Sequence, residues 1–229
     1  NKSAGVGLGQ GTYDIIEWMA ELVPSKWTKR FGWMDPDFLM TRYLTMDFTA
    51  SRTEYTFWAL WSAPLLVSTD VRKMSKDKST ILKNKEVIAI NQDALATAGD
   101  RVFVGPGSGG AVQVWARDLA NGDKCVVLYN SGDTKAAGPS TRGGNVFADG
   151  DADNGGSDGD ALGGGSGGSG SGGADMVVGV TWEMLGWNGS GVRVQVRDLW
   201  AQATLGNFTR GYNATLKARD VQMLRVKKL

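Results

Sequence analysis

The feature that most constrains the fold is a change of hydrophobic pattern near residue 98. Before that point, runs with helical spacing alternate with short extended runs that end in aspartate. Beyond it, short runs alternate apolar and polar residues between turns rich in Gly, Asn and Asp. Helical spacing indicates amphipathic helices, and a period of two indicates half-buried strands. We therefore predict an α/β unit over residues 1–98 and an antiparallel all-β unit over residues 99–229.

Within the first unit, local signals predict where the elements begin and end. One helix is predicted from Thr12, with Thr12 itself as N-cap. A second, almost wholly apolar helix is predicted from a serine cap at Ser51 to a stop near Pro64. SKDKSTILKN is then predicted to be a helix, and KEVIAINQD a half-exposed element. The run LLVSTDV between these helices predicts a buried strand that ends in an acid.

Aspartates follow the extended runs of this unit. Asp35 and Asp37 lie in the stretch GWMDPDF, and Asp70 follows the next extended run. A repeat of strand, loop with acid and helix is typical of a (β/α)8 barrel, whose functional residues lie on the loops at the C-terminal strand ends. The first unit is therefore predicted to be the C-terminal portion of a TIM barrel, with Asp70 as the cap of its following turn.

The second unit contains a compositionally distinct insertion at about residues 143–175. Its Gly, Ser and Asp content cannot bury enough apolar surface to offset backbone ordering, so a flexible loop is predicted. Its aspartates raise the alternative of a calcium site. Because their spacing lacks the terminal glutamate of a calcium-binding helix–loop–helix loop, we predict no metal site. On either side of it, strands such as VRVQVRDLW are predicted to place alternate valines on one buried face.

Composition excludes several classes of function. The 25 Lys and Arg residues balance 24 Asp and Glu residues, so no net field recruits nucleic acid. No histidine occurs, which removes Ser–His and Cys–His nucleophilic machinery from this chain and leaves carboxylates for acid–base chemistry. The single cysteine, Cys125, lies in an apolar run and is predicted to be a buried, inert thiol. No apolar run is long enough to span a membrane.

Four N-x-Ser/Thr sequons occur, at Asn1, Asn188, Asn207 and Asn213. Their clustering beside turn residues predicts a glycosylated protein that is secreted, or located in a lysosome-like or vacuole-like compartment. The chain begins NKSAGVG, without an initiator methionine or a signal peptide. We therefore expect it to be a piece of a longer polypeptide.

Several motifs between Gly32 and Asp93 resemble those of one enzyme family. GWMDPDF, the apolar helix ending in SAPLL, the turn STDVRKM, and NKEVIAINQD stand in order over about 60 residues. Together they are similar to the α-galactosidases and α-N-acetylgalactosaminidases of glycoside hydrolase family 27, as is the later VRVQVRDLW. The resemblance implies the last three βα units of a (β/α)8 barrel followed by an antiparallel β-sandwich. It also implies a partner, the N-terminal half of the same barrel, in the same or a separately processed chain.

The same resemblance implies which residues contact substrate. Asp37 would bind sugar hydroxyls and Phe38 would pack on the sugar, with Trp33 in the substrate-side wall; α-galactoside glycans are then the ligands. Asp35 is predicted to be a turn acid, because proline fixes the turn that follows it. A second turn or capping role remains the alternative for Asp37. No cofactor is implied, because retaining glycosidases use two carboxyl groups.

Neither catalytic carboxylate is expected in this chain. By resemblance, the nucleophile lies on the fourth barrel strand and the acid/base aspartate falls near Ala4. No Asp or Glu precedes Asp14, whose expected role is that of an acid at a helix N-terminus. Three functions therefore remain open: an α-galactosidase or α-N-acetylgalactosaminidase, a catalytically inactive carbohydrate-binding relative, or a structural glycoprotein of an extracellular assembly.

Overall fold

The computed structural model describes residues 11–40, 46–68, 70–132, 173–189 and 191–229. Four α-helices lie in the first half of the chain: α1 (Thr12–Leu22), α2 (Phe48–Leu60), α3 (Lys76–Leu82) and α4 (Lys85–Asn91). Short 3₁₀ helices occur at Pro24–Lys26, Val71–Lys73 and Glu183–Leu185. The strands are β1 (Asp100–Val104), β2 (Val112–Asp118), β3 (Lys124–Asn130), β4 (Met176–Thr181), β5 (Val194–Asp198), β6 (Ala203–Phe208), β7 (Gly211–Leu216) and β8 (Val221–Lys228).

Both predicted helix caps are wrong. Helix α2 begins one turn earlier than predicted, where the Asp47 carboxylate accepts the Ala50 backbone N–H at 2.7 Å. Ser51 consequently lies inside the helix and is buried. The cap of α1 is Gly11, and Thr12 is the first helical residue. The Thr12 hydroxyl donates to the buried Glu54 carboxylate at 3.3 Å, so its contact is with α2.

The two extended runs of the first unit form much less strand than predicted. They meet in one parallel bridge between Leu39 and Val67, supported by the Leu39 N–H donating to the Leu66 carbonyl at 2.9 Å. Leu66 is 45% exposed and Val67 38% exposed, so the prediction of a buried strand at LLVSTDV is wrong for this chain. A parallel strand becomes buried when further strands and helices cover it. Among the described residues, each of these extended runs pairs only with the other.

The second half forms two antiparallel sheets. One has six strands in the order β1-β2-β3-β8-β5-β6, and the other pairs β4 with β7. Strand β6 was not predicted, because most of its side chains are exposed and its apolar pattern is weak. The sheets pack face to face, so the C-terminal part is the predicted β-sandwich. The insertion predicted at 143–175 lies outside the described residues up to position 172, and Gly173–Asp175 lead directly into β4.

The six-stranded sheet has a different partner on each face. On β3, Val126 and Leu128 point to the small sheet, whereas Cys125, Val127 and Tyr129 point to the helices. Strand β8 divides in the same way. This is the period of two expected of strands. The valine alternation predicted for β5 is confirmed, since Val194 and Val196 are both fully buried among the sandwich residues.

Helix α2 fills the space between the helical half and the sheet. Eight consecutive residues, from Thr53 to Leu60, are buried, so the helix has no solvent-facing side over this stretch. Charged groups reinforce the contact around it. Arg117 of β2 is buried and donates to the backbone carbonyls of Ala59 and Ile90, at the C-terminal ends of α2 and α4. Such cations suit the negative ends of helix dipoles.

Cys125 is buried as predicted, and the sheet places it against the helices. Burial raises the pKa of its thiol to about 12, which leaves almost no thiolate at neutral pH. We expect no alkylation by iodoacetamide in the native protein at pH 7.5 within hours, and incorporation of one equivalent once urea unfolds the chain. Mass spectrometry measures both. Equal rates in the native and unfolded states would contradict the burial of this side chain.

The described ranges of the chain contain no helix long and apolar enough to cross a membrane. Nor does that part of the chain hold three His, Cys, Asp or Glu side chains grouped as metal ligands.

Candidate functional site

The stretch around Asp37 is a tight turn fixed by its own carboxylates. The Asp35 carboxylate accepts the Asp37 backbone N–H at 3.0 Å, which is the turn-acid role predicted for Asp35. Pro36 between them is buried. Asp37 itself has a φ of 79°, in the left-handed region that non-glycine residues rarely adopt. The turn therefore points Asp37 in a direction that an ordinary extended strand would not allow.

Asp37 divides its carboxylate between the turn and the surface. Its Oδ1 accepts the Phe38 backbone N–H at 2.7 Å, which is the local role given by the alternative interpretation. Its Oδ2 has no hydrogen-bond partner among the described residues, and the side chain is exposed. One oxygen thus remains able to accept a hydrogen bond from a ligand hydroxyl.

Phe38 follows Asp37 directly in the sequence and is 51% exposed. The following residue, Leu39, is fully buried and makes the parallel bridge to Val67. Two consecutive exposed residues therefore carry a carboxylate and an aromatic ring, on a backbone that is fixed at Leu39. This pairing suits a ligand with hydroxyl groups on one side and an apolar face on the other.

Trp33 lies at a different cavity. This cavity of about 330 Å³ is bordered by Trp33, by Ser62–Leu65 after α2, and by Asn91–Asp93 at the end of α4. Asp37 and Phe38 are not among the described residues that line it. The structure thus brings together Asp37 and Phe38 but not Trp33, and substrate contact stays a prediction for all three.

The other aspartates singled out in the sequence have structural roles. The Asp70 carboxylate accepts the Arg72 N–H at 3.1 Å and pairs with its guanidinium at 2.8 Å. The hydrogen bond from Arg72 lowers the pKa of Asp70, so the cap is ionised at neutral pH. Asp14 accepts the Gly11 N–H at 3.1 Å in the first turn of α1, as expected of an acid at a helix N-terminus.

Two residues of α2 that the sequence analysis missed hold the Asp37 turn. Trp58 Nε1 donates to the Asp37 carbonyl at 2.9 Å, and Glu54 Oε1 accepts the Met40 N–H at 2.9 Å. Both side chains are fully buried. A signal for Glu54 was present, because it is the one acid in the otherwise apolar or neutral run from Thr53 to Leu60.

Burial dominates the electrostatics of Glu54. Loss of hydration raises the pKa of its carboxyl to about 7, against the smaller lowering effects of the Met40 N–H, the Thr12 hydroxyl and the charge of Lys78. Its Oε2 is buried and has no hydrogen-bond partner among the described residues. Glu54 is therefore a carboxyl group that changes charge near neutral pH inside the core.

The remaining predicted sites are at the surface or outside the described residues. Asn188, Asn207 and Asn213 are all exposed, and their glycosylation stays a prediction. Asn1 and Ala4 lie in residues 1–10, which the structure does not describe.

Comparison with known proteins bears on this site through two family models. A model described as alpha galactosidase A matches residues 10–93, and one described as alpha galactosidase C-terminal beta sandwich domain matches residues 173–226. The chain is 30% identical over 193 residues to alpha-galactosidase 3 of Arabidopsis thaliana, covering 84% of this chain and 35% of that protein. It is 44% identical over 99 residues to an alpha-galactosidase of Oryza sativa subsp. japonica, covering 43% and 23%.

Solved structures agree with the family models. Alpha-galactosidase I from Mortierella vinacea superposes with a TM-score of 0.70 at 27% identity, covering 94% of this chain and 44% of that one. The chain therefore belongs to the α-galactosidase family of glycoside hydrolase family 27. Its fold is the predicted C-terminal part of a TIM barrel with an antiparallel β-sandwich. It spans about a third or less of the length of these curated relatives.

Proposed function

We propose that this chain forms one side of the sugar site of a retaining glycosidase acting on terminal α-linked galactose or N-acetylgalactosamine. The observation that carries the proposal is the pair of consecutive exposed residues Asp37 and Phe38, with the Asp37 Oδ2 unpartnered among the described residues. A carboxylate oxygen accepts hydrogen bonds from sugar hydroxyls, and an aromatic ring packs on the C–H face of the sugar. Relatives named alpha-galactosidase and, in Gallus gallus, alpha-N-acetylgalactosaminidase support both sugars as candidates.

The rest of the barrel is the proposed partner. The edge formed by Leu39 and Val67 offers backbone groups for further strands, and Leu66 and Val67 are exposed apolar residues beside it. Strand edges and apolar surfaces of this kind are normally covered. The nucleophile would come from that partner portion, because retaining hydrolysis needs a carboxylate on the side of the sugar opposite the leaving group.

We further propose that the general acid on the leaving-group side of the site is missing. By the resemblance of the motifs, the position of the acid/base aspartate would fall near Ala4, where the sequence has no carboxylate. Without a general acid the leaving oxygen departs unprotonated, which costs about 10²–10⁴-fold in rate for a poor leaving group. A relative that binds galactosides without turning them over is therefore the second candidate. A structural glycoprotein is the third.

The test is a comparison of leaving groups in the full-length polypeptide. We expect hydrolysis of an aryl α-galactoside or aryl α-N-acetylgalactosaminide, whose leaving groups need little protonation, and turnover of a natural α-linked disaccharide lower by about 10²–10⁴-fold. Equal turnover of aryl and natural substrates would show that another residue supplies the acid. Binding of galactose by calorimetry without any turnover would favour the second candidate, and neither binding nor turnover would contradict the proposal.

Asp37→Asn is the matched variant for the same assay. Asparagine tolerates a positive φ, so the turn is retained while the charge is lost. Loss of a charged hydrogen bond to the sugar is expected to lower kcat/KM for the aryl substrate by about 10- to 100-fold. The control is Asp70→Asn, which removes the charge of an exposed turn acid and is expected to change kcat/KM by less than about twofold. Equal effects of the two variants would contradict the role of Asp37.

A further inference from the structure

Two buried side chains of α2 hold the backbone on both sides of Phe38. Trp58 Nε1 donates to the Asp37 carbonyl and Glu54 Oε1 accepts the Met40 N–H, each at 2.9 Å. Residues four apart in a helix lie on the same face, so one turn of α2 makes both contacts. Neither side chain is exposed. A rigid, buried helix therefore grips the segment at two points three residues apart.

The segment between these points needs such support. Asp37 has a φ of 79°, and a non-glycine residue in that region costs about 1–3 kcal/mol unless its surroundings enforce it. The Asp35 carboxylate fixes the start of the segment, and the bond from the Leu39 N–H to Leu66 fixes its middle. Trp58 and Glu54 add one bond from α2 at each end of the segment.

The contact that Glu54 makes with the Met40 N–H carries a cost in folding free energy. A fully buried carboxyl group with one unpartnered oxygen is unfavourable compared with a neutral amide or an apolar side chain. Its Oε1 accepts from the Met40 N–H and, at 3.3 Å, from the Thr12 hydroxyl of α1. The positive charge of Lys78 of α3 opposes, by less, the rise that burial causes in the pKa of this carboxyl. The carboxyl thus joins α1, α2 and the Asp37 segment at one point.

We propose that Glu54 and Trp58 are positioning residues that set the direction in which Asp37 and Phe38 face the sugar. We call the two hydrogen bonds from Trp58 to Asp37 and from Met40 to Glu54 the tether. Its effect on sugar binding rests on the proposed function. Neither residue is expected to contact substrate, because both side chains are buried. Their substitution should therefore weaken sugar binding through the segment they hold, raising KM for the aryl substrate more than it lowers kcat.

The tether is tested without sugar, by amide hydrogen exchange at single-residue resolution. In Glu54→Ala we expect the Met40 amide to exchange about tenfold faster or more, because it loses its acceptor. Glu54→Gln keeps an acceptor oxygen and should stay close to the wild-type rate. In Trp58→Phe the Phe38 and Leu39 amides should exchange faster. Unchanged rates in both Glu54→Ala and Trp58→Phe would overturn the tether whatever the sugar experiments give.

Trp61→Phe is the matched control for Trp58→Phe. Trp61 is equally buried at the end of the same helix, but its Nε1 has no hydrogen-bond partner among the described residues. Both variants lose indole packing, and only one loses a bond to the turn. We expect similar losses of melting temperature, with faster exchange at residues 38–40 only in Trp58→Phe. Equal acceleration in the two variants would show that packing, rather than the bond to Asp37, holds the turn.

The second readout is KM for the aryl galactoside and Kd for galactose in the full-length polypeptide. Glu54→Ala and Trp58→Phe are expected to raise both by about 3- to 30-fold, with rescue in Glu54→Gln. Faster exchange with unchanged KM and Kd would overturn the positioning role and leave only a structural tether. If the wild-type protein neither binds nor hydrolyses a galactoside, the proposed function and the positioning role both fail, and the exchange rates still decide the tether.

Discussion

Replacing Phe57 with alanine is expected to lower the free energy of unfolding by about 3–5 kcal/mol. Phe57 is fully buried in α2, and its ring contacts three others: Trp61 of the same region at 5.3 Å between centroids, and Trp115 and Tyr129 of the sheet at 5.1 Å each. Its removal leaves a cavity between two rigid layers that cannot close around it. Urea titration measures the effect as a lower midpoint with an unchanged slope.

The control for this prediction is Phe31→Ala. Phe31 is 83% exposed, so the same atoms are removed without a cavity, and a change within about 0.5 kcal/mol is expected. Phe57→Leu should fall between the two, because most of the volume is kept while the ring contacts are lost. A loss below about 1 kcal/mol in Phe57→Ala would mean that the helix and the sheet do not share one core.

The second large effect concerns pH and Glu54. Its pKa is raised from 4.5 to about 7 by burial, so between these values the folded protein holds a proton that the unfolded chain releases. The free energy of unfolding from this group therefore falls as pH rises through this window, by about 3 kcal/mol at most. Glu54→Gln has no proton to lose, so its stability should be nearly independent of pH between about 5 and 8.

Urea midpoints at about pH 5, 6, 7 and 8 measure this difference. Working above about pH 5 avoids Glu86, whose pKa is lowered by its hydrogen bonds to Arg197 and whose contribution is lost only at more acidic pH. Wild type and Glu54→Gln should converge at the acidic end of this range and diverge towards its alkaline end, with the variant more stable. Parallel curves across the whole range would mean that Glu54 is hydrated in solution.

Local signals predicted the type of most elements in this chain. The change of period near residue 98 separated helices from strands, and β5 showed its buried face through Val194 and Val196. Boundaries were less predictable. Ser51 has the right chemistry for a cap, but the Asp47 carboxylate one turn earlier takes the role. Strand β6 was missed because an edge strand with mainly exposed side chains has little apolar pattern to detect.

The candidate site was predictable only where the chemistry is local. Asp35 and Pro36 define a turn by themselves, so the role of Asp35 could be predicted and the structure confirms it. The grip of α2 on this turn depends on residues 14 and 21 positions away from Met40 and Asp37, which no local pattern records. Trp33 shows the converse. Proximity in sequence suggested one pocket, but Trp33 borders a cavity that Asp37 and Phe38 do not line.

The burial of α2 bears on how far this architecture is modular. On the helix-facing side of the sheet, Trp115, Tyr129 and Met223 are buried in one cluster with the apolar residues of α2. A truncated chain that begins at residue 99 would expose these apolar side chains to solvent. It should aggregate rather than fold as an independent β-sandwich. Exchange of the sandwich between relatives would succeed only together with the helix whose aromatic side chains match it.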